Sequence, residues 1–117
     1  MLYGDKRLSR EARSRMDGEA PVFHSPVSFW EIALKRSGSG FDFEIESNWD
    51  EILPHALEDA VVPRIDLLAS DCRKTEDLPM FHRDPFDRML IAQALSRGLG
   101  ILSRDDILDD YGVSRVW

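Results

Sequence analysis

Apolar positions recur at helical spacing after Asp84, where Phe86, Leu90, Ala94 and Leu95 fall on one face. Asp84-Pro85 supplies a cap and a first helical position, and Gly98 follows Arg97 as a stop, so the strongest helix of the chain is predicted between them. Upstream, Ser9 can cap a helix through Glu11, Ala12 and Met16 that ends at Asp17-Gly18. Ala20 to Phe23 reads as a short strand. Ser25-Pro26 then opens a helix, with Ser28 and Glu31 spaced as a capping box one step further in. That helix runs through Ile32, Ala33, Leu34 and Lys35 until Ser37-Gly38-Ser39-Gly40 stops it. Asn48 to Leu57 is predicted helical, with Pro54 expected to kink or divide it. Arg64 to Ala69 reads as a strand, and Ser70 as the cap of a short polar helix ending near Leu78-Pro79. Leu99 to Ser103 is a buried strand by its apolar run, Asp105 to Tyr111 a last short helix, and Val113 to Trp117 a terminal strand beyond Gly112. Helices alternating with strands predict a mostly parallel sheet covered by helices on both faces.

Composition narrows the class. A chain of 117 residues with 43% hydrophobic and 32% charged residues is expected to fold as one soluble domain. A single cysteine, Cys72, excludes an internal disulfide, points to a reducing compartment and is expected to be an inert thiol. Apolar runs of four or five residues are too short for a membrane span, and the start lacks the apolar stretch of a signal peptide. No membrane association and a cytoplasmic location are therefore expected. A net charge of -7 argues against sequence-blind nucleic-acid binding, which draws its affinity from counterion release. It leaves room for a carboxylate site in which a metal supplies the positive charge that meets phosphate. Arg36, Arg83, Arg88, Arg104 and Arg115 are available to line such a site.

In parallel sheets, sites form beyond the carboxyl ends of the strands. Glu31 follows the Ala20 to Phe23 strand, Asp105 follows the Leu99 strand, and Asp87 lies one turn into the strongest helix. Three carboxylates from separate elements are thus expected to converge. Close like charges raise one another's pKa unless a cation neutralises them, and oxygen-only ligands favour Mg2+, or Mn2+, over zinc. Each acid also has an ordinary explanation. Glu31 can complete the capping box, Asp87 can favour the helix dipole, and Asp105 or Asp106 can cap the next helix. His82 reads as a loop residue or partner contact, Trp30 and Phe86 as core, and Trp117 as terminal packing.

The order of these segments resembles the PIN-domain family, specifically the VapC-type toxins of toxin-antitoxin systems. The resemblance lies in Ser28-Phe29-Trp30-Glu31-Ile32-Ala33-Leu34-Lys35, in Leu78-Pro79 with His82-Arg83-Asp84-Pro85-Phe86-Asp87-Arg88-Met89-Leu90-Ile91-Ala92-Gln93-Ala94, in Leu102-Ser103-Arg104-Asp105, and in Tyr111-Gly112-Val113 with Trp117. It implies a three-layer α/β/α sandwich around a mostly parallel sheet and a Mg2+-dependent endoribonuclease. Glu31, Asp87 and Asp105 match three of the family's four acidic, metal-holding positions, and Ser103 matches the accompanying hydroxyl. The implied partners are an RNA substrate, a cognate antitoxin that blocks the site, and a second copy in a homodimer.

Family members open with an apolar strand ending in an aspartate, which here would precede Met1. Asp5 does not replace it, because Gly4-Asp5-Lys6-Arg7-Leu8-Ser9 matches the segment after the family's first helix. The expectation is therefore a single PIN-like domain over residues 1–117, truncated before a central strand, with weak or absent ribonuclease activity. The alternative is a catalytically inactive PIN fold that binds an antitoxin or a sister subunit. A phosphoryl-accepting acidic pocket ranks lower, since no suitable Lys follows a strand.

Overall fold

The computed structural model describes residues 21–38 and 45–117. The helix expected after Ser9, its Asp17-Gly18 stop, Ala20 and Ser39-Gly40 lie outside those residues. In chain order the elements are α1 (Val27–Ser37), α2 (Trp49–Asp59), α3 (Ala69–Thr75), α4 (Pro85–Arg97), β1 (Ile101–Leu102), a 3-10 helix (Asp106–Tyr111) and β2 (Arg115–Val116). The strands β1 and β2 pair in parallel, Ile101 with Arg115 and Leu102 with Val116. The architecture is mixed α/β, and no described helix is long and apolar enough to cross a membrane.

Helix α4 forms as its punctuation predicts. Asp84 accepts a hydrogen bond from the Phe86 N–H at 2.9 Å, and Pro85 starts the first turn. Gly98 ends it at φ 66°, a left-handed backbone that a side chain would strain. Its buried residues are Ile91, Ala92, Gln93 and Ala94. The expected stripe of Phe86, Leu90, Ala94 and Leu95 is thus shifted: Phe86, Leu90 and Leu95 are only half-buried. The helix is covered on more than one side, by α1 and α3 as well as β1, so a single amphipathic face understates its burial.

Among the described residues, two strands expected from the sequence are not formed. Between the Ala20 to Phe23 and Arg64 to Ala69 segments the structure has one isolated parallel bridge, His24 with Arg64. The His24 N–H donates to the Pro63 carbonyl and the Ile65 N–H to the His24 carbonyl. Pro63, lacking an N–H, adds no donor of its own. Further along, side chains take the backbone groups that a neighbouring strand would use. The Asp66 carbonyl accepts from Gln93 Nε2 and Arg97 Nη2, and the Leu68 N–H donates to Asp71.

Assignments also change in three helices. Helix α1 begins at Val27, whose N–H donates to Ser25 Oγ. Ser28 therefore lies inside the helix, its buried hydroxyl without a hydrogen bond, and the Ser28–Glu31 capping box is absent. Helix α2 runs through Pro54 without dividing. Helix α3 starts at Ala69 and ends at Thr75, with the Asp71 carboxylate holding the Leu68 N–H where Ser70 was expected to cap. Trp30, expected in the core, is 61% exposed and rests edge-on against Phe86.

The main core joins Ile91, Ala94, Ile101, Leu108 and Val113 beneath α4, and a second cluster joins Leu57 and Val62 with Val22, Phe29 and Leu102. Gly100 lets β1 approach the return strand, because a Cβ there would meet the Ser114 carbonyl oxygen at 2.9 Å. Buried Asp71 receives both Arg97 nitrogens, at 2.9 and 3.0 Å, which locks α3 onto α4. That guanidinium holds the Asp71 carboxyl below its ordinary value.

Ile91 has no solvent exposure, whereas Leu34 is 47% exposed. Ile91→Ala should cost about 2–5 kcal/mol in chemical denaturation. Leu34→Ala should stay within about 0.5 kcal/mol.

Candidate functional site

The carboxylates are presented by element ends. Asp87 sits in the first turn of α4, where orphan N–H groups and the helix dipole meet its charge. Asp105 caps the 3-10 helix: its Oδ1 accepts from the Ile107 N–H at 3.2 Å. Ser103 steadies that turn by accepting the Asp105 N–H on Oγ at 3.1 Å. Glu31 lies on the buried face of α1, 8% exposed, with Lys35 one turn on at 3.4 Å. Packing of α1 against α4 carries Glu31 toward Asp87.

The four residues expected from the sequence, Glu31, Asp87, Ser103 and Asp105, line one cleft of about 220 Å³. Leu90, Ile101, Leu102, Leu108, Arg104 and Trp117 complete its walls. Oxygens of Glu31, Asp84 and Asp87 lie within 4.8 Å of one another. Ligand atoms of His82, Asp87 and Asp105 form a second such group that shares Asp87. Asp87 is therefore the hinge of both.

Its electrostatics follow from this crowding. Burial pushes the Asp87 carboxyl up to about 6, and Asp84, Glu31 and Asp105 push in the same direction. His82 offsets part of the push.

Two residues of the site were not assigned to it from sequence. His82 places Nε2 2.8 Å from Asp105 Oδ2 and 3.0 Å from Asp87 Oδ2. Asp84, a helix cap by sequence, also brings its carboxylate beside Asp87. The signal lies in Asp84-Pro85: proline forces the residue before it into extended backbone, which holds the preceding loop close over the first turn of α4. Among the arginines expected near a site, Arg104 lines the cleft. Arg88 instead binds the carbonyls of Thr75, Leu78 and Pro79, and Arg115 binds Asp109.

Comparison of the chain with protein-family models, with curated proteins and with solved structures finds no match.

A carboxyl with a raised folded-state value binds its proton more readily folded than unfolded. Asp87 therefore lowers stability fully above pH 6, and this cost disappears as pH falls toward the ordinary value of 3.8. Asp87→Asn should raise the thermal midpoint at pH 7.5, and the advantage over the parent should shrink at pH 4.5. An advantage that grew on acidification would contradict the assignment.

Proposed function

We propose that the chain is a divalent-cation-dependent phosphodiesterase acting on RNA, in the manner of the PIN-type ribonucleases it resembles, with the sandwich architecture that resemblance implies. The observation that carries this reading is the gathering of Glu31, Asp87 and Asp105, from three separate elements, around one cleft. Glu31, Asp84 and Asp87 are a hard all-oxygen group, and Asp87, pushed up by burial and by its acidic neighbours, is a carboxyl whose charged form a cation would favour. Both properties fit Mg2+ or Mn2+. The imidazole of His82 is the one softer group in the cluster.

In this reading Glu31, Asp87 and Asp105 hold the cation. When bound, a hard divalent ion supplies Lewis acidity toward a phosphodiester. Ser103 acts through Asp105, fixing the turn that aims its carboxylate. Arg104, exposed at the cleft wall, is placed to receive a phosphate oxygen of the substrate. Leu90, Ile101 and Leu108 form the apolar floor that keeps the carboxylates partly desolvated.

The test is cleavage of a mixed RNA pool by the purified chain, with Mg2+ and with EDTA. Cleavage is expected to need the cation and to fall at least about 100-fold in Asp87→Asn. Cleavage unaffected by EDTA and by Asp87→Asn would reject the reading. Retained folding with no cleavage in any cation would favour the binding-protein alternative. Arg104, exposed at the cleft wall, gives a second prediction: Arg104→Ala should weaken RNA binding while leaving Mn2+ affinity within about twofold, since an exposed charge acts weakly through solvent.

A further inference from the structure

This inference concerns how the site admits its cation and rests on the reading just given. His82 reaches the carboxylates from an anchored loop. Its backbone N–H donates to the Tyr111 hydroxyl at 2.7 Å, and its Nδ1 accepts the Asp84 N–H at 3.1 Å. A ring nitrogen that accepts has its lone pair engaged and carries no proton, so the ring proton resides on Nε2. That Nε2–H donates to Asp105 Oδ2 at 2.8 Å and lies 3.0 Å from Asp87 Oδ2.

The position is that of a metal ligand, but the chemistry is not. A protonated Nε2 has no lone pair to offer a metal. To ligate through Nε2, the ring would have to move its proton to Nδ1, and two donors would then face each other at the Asp84 amide. In the observed arrangement the positive end of the Nε2–H dipole is directed at the oxygens a cation would require, drawing together carboxylates that otherwise repel.

We propose that His82 is an internal competitor for the cation: a divalent ion binds by displacing the His82 Nε2–H from Asp87 and Asp105. The histidine thereby sets the cation concentration at which the site fills. It also keeps the two carboxylates aligned until then.

Mn2+ binding to the full chain, followed by the electron-paramagnetic signal of the free ion, tests this without reference to catalysis. His82→Asn keeps an amide oxygen where Nδ1 accepts the Asp84 N–H but is too short to reach both carboxylates. It should bind Mn2+ about tenfold more tightly than the parent, the scale of one hydrogen bond to a charged group. His82→Gln, whose longer amide restores a donor near Nε2, should return toward the parent value. Weaker binding by His82→Asn would mean that the ring assists the cation instead of competing with it, and unchanged binding would leave it no role; either overturns the proposal. If the parent and both variants bind no Mn2+, the cation reading fails and takes this inference with it. The parent chain alone offers a second check by long-range 1H–15N spectra of its histidine rings. His82 should carry its proton on Nε2 and lose its carboxylate-bonded signal when Mg2+ is added. A proton on Nδ1 before Mg2+ is added would overturn the proposal.

Discussion

With so little β-ladder among the described residues, their backbone polar groups must be satisfied by other means, and this requirement governs the structure. Unpaired amides and carbonyls in a packed interior are costly, so each needs a partner. Helix α4 supplies many of them from its own side chains. Arg88 serves the carbonyls of Thr75, Leu78 and Pro79, while Gln93 and Arg97 serve that of Asp66. Gln93 does this most economically. Its Oε1 accepts from Ser25 Oγ at 2.6 Å while its Nε2 donates to Asp66, so one side-chain amide stands between two segments as a peptide unit would in a sheet.

The same requirement explains what could be read from the sequence. The punctuation of α4 and of the 3-10 helix was legible, since Asp84-Pro85 and Gly98 bound α4 and Gly112 ends the 3-10 helix, whereas the Ser28 and Ser70 caps were misplaced. The β1 and β2 positions were legible in place, though shorter than drawn. The segments around Phe23 and Arg64 were not. Both read as strands, yet the Asp66 carbonyl is taken by Gln93 and Arg97, from a helix dozens of residues away. Trp30 failed for a related reason, since helical spacing gives a face but not which neighbour covers it.

The candidate site divides along the same line. That Glu31, Asp87 and Asp105 would share one region followed from their places at element ends, Ser103 was implied by the family resemblance, and the cleft holds all four. What spacing could not supply is the state of the charges inside it. Burial and three acidic neighbours act on Asp87 together, and neither is visible until α1, α4 and the turn after β1 are brought together. The second ring of the site was equally hidden. Asp84 looked complete as a cap, and it serves as one while also standing in the acidic group.

Tyr111 carries a consequence for how the cleft can change shape. Its hydroxyl accepts the His82 N–H, donates to the Pro79 carbonyl at 2.7 Å, and lies edge-on to Phe81 through its ring. The loop that delivers His82 is therefore riveted to the end of the 3-10 helix that Asp105 begins. The two walls of the cleft cannot separate as independent flaps; they share a spacer of fixed length. Much of the entropy that a ligand would otherwise remove from this loop is already gone when the chain has folded, which leaves the side chains, rather than the backbone, to do the yielding.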